Sequence, residues 1–490
     1  MADHITPENG KKKRGRPRKV VSAEVKTTAA QTTQTKRGRK PKSASAAKET
    51  GWKAVSTRDL AELRKEYLLD DVNRIVRNAL TENDITKISK VFEAGNQNPN
   101  LFSVEIETMP VTNQMQSGRC WIFSAMNVLR EMIAKKYHIC SFELSQNYVA
   151  FYDKLEKVNW FMNCVLNEKD AKLDERTMQW LLDNGISDGG QWDMAVSLIK
   201  KYGICPKTAM KETYTSSHTR AMNGLLNRRL RRFVLDEKQA QGEEEKEALR
   251  KECLKECYRL IADCFGMPPE EFSFEYRDEK KKFHASHHIT PKQFYKDYLA
   301  EDLDQYAVII NAPTKDKPYH AMYSVKYIGN VVSGNEIRYL NLPMKEFKEA
   351  VIRQLQAGYP VWFGCDCGKD GDRESGLWDD QAYDYSHTFS MNLDMTKAEM
   401  LDARESAMNH AMVLTGVNLV NGKPTRWKIE NSWGDKTANK GYYICSDTWF
   451  ERYVYEASVK KNFLTAKDRK VLKSEVKVLE PWDPFGTLAD

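Results

Sequence analysis

Gln114-Met115-Gln116-Ser117-Gly118-Arg119-Cys120-Trp121-Ile122-Phe123 is the stretch on which the reading of this 490-residue chain turns. Ser117-Gly118 breaks the chain. Beyond Cys120, the residues Ala125, Val128, Leu129, Met132 and Ile133 recur at helical spacing, which predicts a helix with one buried face. Cys120 thus stands at or near a helix N-terminus, where unpaired backbone N–H groups favour an anion. Downstream lie Asn409-His410-Ala411 and Glu430-Asn431-Ser432-Trp433-Gly434. They sit on two apolar stretches, 412–420 and 425–429, joined through Asn421-Gly422, a strong hairpin signal. Folding the hairpin brings His410 and Asn431 together.

These residue types in this order suit nucleophilic acyl transfer. A helix N-terminus and a neighbouring imidazolium can lower a cysteine pKa from ~8.5 to ~3.5–7.5, exposing a thiolate at neutral pH. Cys120 is the candidate nucleophile. His410 is the candidate acid and base, and Asn431 the group that orients its ring. Gln114 offers an uncharged amide donor beside the Cys120 backbone N–H, a pair suited to an oxyanion. Trp433 would shield the His410–Asn431 hydrogen bond from water. His320 and His387 could replace His410 as base, but neither is followed by a strand, an Asn-Gly turn and an Asn-Ser-Trp. Cys365-Asp366-Cys367 and the pair Cys253, Cys257 lack the spacing of a zinc site, and the His284, His287, His288 group falls in a charged segment. No metal and no cofactor is expected.

Six separated motifs then agree in order with one family: Pro110-Val111-Thr112-Asn113-Gln114, Ser117 to Phe123, Leu144-Ser145-Gln146-Asn147-Tyr148, Asp188-Gly189-Gly190-Gln191-Trp192, His410-Ala411-Met412-Val413 and Asn431-Ser432-Trp433-Gly434-Asp435. From about residue 57 to its end, the chain resembles the bleomycin hydrolase and aminopeptidase C family of papain-like cysteine peptidases. The resemblance implies an α+β, two-lobed papain-like fold with a helical hook insertion, in a homohexamer whose sites face an internal channel. It implies aminopeptidase action on peptides with a free N-terminus, with the C-terminal arm (about 481–490) lying in the cleft and Ala489 or Asp490 meeting the substrate amine. Gly190, with Gly189, would bind extended substrate through bare backbone. His410 follows Cys120 by 290 residues, against about 130–150 in simpler papain-type enzymes, so an insertion is expected, placed at about 216–301, where the chain is highly charged. An endopeptidase, or a DNA-binding protein with a vestigial peptidase body, are the rival readings.

Composition sets the frame. At 41% hydrophobic residues the chain can build a large core. It has no apolar run long enough for a membrane span and no apolar signal at its start, so export and membrane insertion are not expected. Ten dispersed cysteines, and Ser117 where secreted papain-like enzymes usually carry cysteine, point to reducing cytosol. The net charge of +7 is uneven: residues 1–50 hold fourteen Lys/Arg against four Asp/Glu, and the remainder is slightly acidic. With no aromatic residue there, segment 1–51 reads as a disordered basic tail preceding a peptidase domain over 52–490, whose folded body would start near Thr57 with the helical pattern of Leu60, Leu63, Tyr67 and Leu68. Arg14-Gly15-Arg16-Pro17 resembles an AT-hook, a shape suited to a narrow A·T-rich minor groove; a plain polybasic address is the alternative.

Overall fold

The computed structural model describes residues 51–489. Arg14, Gly15, Arg16, Pro17 and the rest of the basic tail lie outside the described residues, as does Asp490. The chain divides into two units, residues 1–70 and 71–490. The described part of the first holds one helix, Thr57–Leu69, whose start is fixed by a capping box between Ser56 and Asp59. The sequence pattern gives a buried face here, but the helix buries none of its residues; Leu60 and Leu63 are more than half exposed. Local capping therefore accounts for this helix, and it is not the start of the core.

In the second unit, α1 (Cys120–Tyr137), α2 (Gln146–Asn167) and α3 (Trp192–Tyr202) form the helical core. The charged segment folds into α4 (Arg220–Gln239) and α5 (Glu243–Phe265), which pack on α2. An antiparallel strand pair, Phe272–Arg277 with Phe283–Ile289, follows them, so the insertion is not purely helical. Its histidines hold separate partners: His284 pairs with Asp278 at 2.9 Å, His287 with Ser273 at 3.1 Å and His288 with Glu271 at 3.4 Å.

Then come β1 (Tyr306–Ile310), β2 (Val361–Cys365), β3 (His410–Val420), β4 (Lys423–Glu430), β5 (Tyr442–Ser446) and β6 (Val454–Lys460), adjacent in the sheet in the order β1-β6-β2-β3-β4-β5. The β3–β4 turn has φ of 52° at Asn421 and 75° at Gly422, the left-handed pair that a two-residue hairpin demands. On β3, Ala411 and Val413 face the helical core, while Met412 and Leu414 face a second core built from the sheet and helix Met344–Gln356. A strand buried on both faces reads as a continuous apolar run. Helix α1 is bolted to this sheet by Ser124 Oγ donating to Ala411 O at 2.9 Å, and by Trp362 Nε1 donating to Trp121 O at 3.2 Å.

Candidate active site

Cys120 is the first residue of α1 and fully buried, and Ala411 N donates to its Sγ at 3.4 Å. The thiol is thereby held against the start of β3, at the residue that follows His410. His410 Nε2 lies 3.0 Å from Asn431 Oδ1. That oxygen also accepts from Ser432 N at 2.8 Å, which fixes the orientation of the carboxamide. An acceptor facing Nε2 puts the ring proton there and leaves Nδ1 for the thiol. Trp433 covers the imidazole with ring centroids 5.0 Å apart. Burial pushes His410 down to about 4, against the hydrogen bond that its ring donates to Asn431 and aided by the positive charge of Arg373.

Gln114 is locked from three directions. Its backbone N donates to Ser432 O at 2.8 Å, its Oε1 accepts from Ser432 Oγ at 2.6 Å and its Nε2 donates to Ser117 O at 2.6 Å. One Nε2 hydrogen remains to serve a ligand oxygen. The structure therefore brings Gln114, Cys120, His410, Asn431 and Trp433 into one site.

Gly190 lies flat on the Trp121 indole, where a Cβ would stand 2.4 Å from a ring carbon. Gly190 N donates to Ala489 O at 3.1 Å and Ala489 N to Gly190 O at 3.4 Å, a short antiparallel bridge. The backbone groups assigned to substrate by sequence are thus engaged by the chain's own C-terminal segment. That segment is fastened along its length: Lys317 pairs with Asp483 at 2.8 Å, Arg404 donates to Trp482 O at 2.5 Å and Gln191 Nε2 donates to Thr487 O at 3.1 Å. Gly189 O accepts from Lys157 Nζ at 2.6 Å, so Gly189 is tied inward.

Sequence reasoning assigned no role to the buried charges beneath this site. Asp188 takes Lys154 at 2.5 Å and Asn223 at 2.8 Å on Oδ1, and Gly118 N at 2.9 Å on Oδ2, where the Thr219 hydroxyl also donates. Lys157 pairs with Asp153 at 2.7 Å. Their one trace in the sequence is that Asp153, Lys154 and Lys157 interrupt the apolar face of α2, a pattern that a solvated face also produces. On the other flank, Arg130 and Asn127 of α1 each reach Glu430 Oε1 at 2.9 Å, anchoring the residue before Asn431. Elsewhere His387 pairs with Asp384 at 2.8 Å, and His320 sits between Asp468 at 3.2 Å and Glu346 at 3.6 Å, the one trio among the described residues with spacing for a metal ion. Its ring turns opposite nitrogens to the two carboxylates.

The model of the Peptidase C1-like family matches residues 54–486. The aminopeptidase C of Lactobacillus delbrueckii subsp. lactis is 46% identical over 422 residues, covering 85% of this chain and 94% of that protein. The aminopeptidase C of Streptococcus thermophilus is 41% identical over 441 residues, covering 89% and 99%. A crystal structure of pepW from Lactobacillus rhamnosis HN001 superposes with a TM-score of 0.87 at 44% identity, covering 89% of this chain and 99% of that one.

Proposed function

The chain belongs to the Peptidase C1-like family, and on that premise we propose that it is a cysteine aminopeptidase that releases residues from the free N-terminus of peptides. The observation that carries this reading is the Cys120 sulfur held at Ala411 N beside a His410 ring bonded to Asn431.

Cys120 passes its thiol proton to His410 Nδ1, and the Sγ so freed attacks the scissile carbonyl carbon. The oxygen that gains the negative charge meets the Gln114 Nε2–H and the Cys120 N–H, donors aligned before the charge develops. His410 gives its Nδ1 proton to the departing amine as the tetrahedral intermediate collapses to a thioester. It then takes a proton from water, whose oxygen attacks the thioester, releases the acid and restores the thiol. Asn431 keeps the ring aimed through both half-reactions.

The bridge between Gly190 and Ala489 supports an aminopeptidase over an endopeptidase, because the fastened segment fills the path an N-terminal extension of the substrate would need. The carboxylate at the end of the arm, at Ala489 or Asp490, pairs with the substrate amine. No helix among the described residues is long and apolar enough to cross a membrane; we assign the enzyme to the cytosol, as a hexamer enclosing its sites, with an N-terminal tail that engages A·T-rich DNA. Sedimentation velocity reads the assembly, and duplex titration of the full chain against one beginning at Trp52 reads the tail.

The central test pairs free and N-acylated peptides. The wild type cleaves the free peptide alone, Cys120→Ala cleaves neither while remaining folded, and removal of residues 482–490 lets the acylated peptide react. Hydrolysis by Cys120→Ala overturns the mechanism; continued rejection of the acylated peptide after truncation overturns the role of the arm.

A further inference from the structure

The arm and Gly190 mark the side of the cleft that holds the substrate amine, so the opposite side, past His410 and Trp433, receives the peptide that leaves. A short hairpin, Gly371–Asp372 with Leu377–Trp378, lies there at the end of the sheet. Its turn is rigidly built. Asp372 Oδ1 accepts from Glu374 N at 3.1 Å, Gly376 N donates to Asp372 O at 2.9 Å, and Asp372 Oδ2 pairs with Lys90 at 2.5 Å. Gly376 has φ of +77°, and a Cβ there would stand 2.2 Å from that of Ala438. The turn is also tied to the loop after Trp433 by Ala438 N donating to Glu374 O at 3.3 Å.

This turn presents Arg373, whose guanidinium carbon lies 4.5 Å from the centroid of the Trp433 ring, the same indole that covers His410. Arg373 is exposed, and no carboxylate among the described residues forms an ion pair with it. Its charge is felt at His410, Cys367 and Tyr443. A cation stacked on an aromatic face keeps its N–H edges available for a planar, bidentate acceptor, and a carboxylate is such an acceptor.

We propose that Arg373 forms a carboxylate-binding subsite on the leaving-group side of the cleft, and so makes the enzyme favour short peptides and acidic residues just beyond the scissile bond. This rests on the aminopeptidase reading of Cys120. An extended peptide advances about 3.3–3.6 Å per residue, so a group standing one indole away from His410 meets the carboxylate of the first to third residue of the leaving peptide. The ligand chemistry is a carboxylate, terminal or side-chain.

The test compares kcat/KM for Ala-Ala with a free or an amidated C-terminus, and for amidated Ala-Asp against amidated Ala-Asn, in the wild type, Arg373→Gln and Arg373→Lys. Each result is read as a ratio within one enzyme, so a common change in chemistry cancels. The wild type should favour the carboxylate-bearing member of at least one pair by about tenfold, a preference that falls as salt rises. Arg373→Gln should bring the ratio to within about twofold, and Arg373→Lys should keep part of it. The first pair reads a terminal carboxylate, the second an acidic side chain. Ratios near one in the wild type, or a ratio that survives in Arg373→Gln, overturn the subsite. Failure of the wild type to cleave an alanyl arylamide, which carries no such carboxylate, overturns the aminopeptidase reading itself.

Discussion

Replacing Asp188 by Asn removes one charge and tests whether the buried network positions the site. The Asp188 carboxylate is almost fully buried, which alone would raise its pKa, yet Lys154 and the hydrogen bonds from Thr219 and Asn223 hold it well below the usual carboxylate range. Lys154 is 1% exposed. An asparagine keeps a single acceptor oxygen, so it must abandon either Lys154 and Asn223 or Gly118 and Thr219, and in both orientations its NH2 faces another donor. Leaving a buried ammonium without its counter-charge costs about 3–5 kcal/mol, a large share of the roughly 5–15 kcal/mol that holds a typical fold. Because the folded-state pKa is depressed, the stability from this carboxylate is present above the unfolded value near 3.9 and is lost only as pH falls through the folded value. The deficit of Asp188→Asn should therefore be flat from about pH 5 to 8 in urea unfolding followed by tryptophan fluorescence. Adding Lys154→Met removes the stranded charge and should recover most of it. The single oxygen turns toward the Lys154 ammonium, the stronger donor, so the Gly118 N–H loses its anchor; that loosens the turn into Cys120, and kcat should fall by at least about tenfold, more than KM changes. A loss below about 1 kcal/mol with kcat within twofold of wild type refutes both the energetic and the positioning argument.

Two further outcomes follow from the same geometry. In Cys120→Ala the His410 ring has no thiolate to face, and burial sets its titration at about 4. The unfolded ring takes its proton near pH 6.5 and the folded ring only near 4, so this ring contributes a loss of stability as pH falls through that window, about 3 kcal/mol in all, and nothing above it. The measurement is the pH-dependent difference between Cys120→Ala and Cys120→Ala/His410→Gln, with carbon-13 histidine NMR for the midpoint; a midpoint of 6 or higher contradicts it. Gly190→Ala pushes a methyl into the Trp121 ring, which is held by its Nε1 donating to Asp188 O at 2.7 Å. It should cost about 1–3 kcal/mol as overpacking and disturb the bridge to Ala489, so that N-acylated peptides begin to react; unchanged stability and unchanged rejection would contradict it.

What the sequence made legible is what local periodicity and spacing encode. The helix beginning at Cys120 and the Asn421-Gly422 hairpin are set by apolar repeats and by a turn that needs two positive φ values, so the meeting of His410 with Asn431 could be read from 21 residues of chain. The strand pair at 272–289 escaped because its exposed positions carry charge and histidine, and each strand buries a single residue, Phe274 in one and Ile289 in the other. The helix at 57–69 misled in the opposite sense, since an apolar stripe predicts a covering that the sequence itself cannot locate. The buried charges were hidden for a third reason. Lysine and aspartate on a helix read as a solvated face unless their partners are known; beyond the Asp153–Lys157 pair within α2, the Asp188 carboxylate that meets Lys154 and the carbonyls that meet Lys157 arrive from loop 187–189, about thirty residues on. That loop carries the Gly190 edge on one side and receives the Gly118 N–H on the other. A single buried carboxylate thus joins the turn that presents the thiol to the Gly190 bridge that seats the C-terminal arm, and a perturbation there should alter catalysis and N-terminal selectivity together, where an independent origin for the two would let them separate.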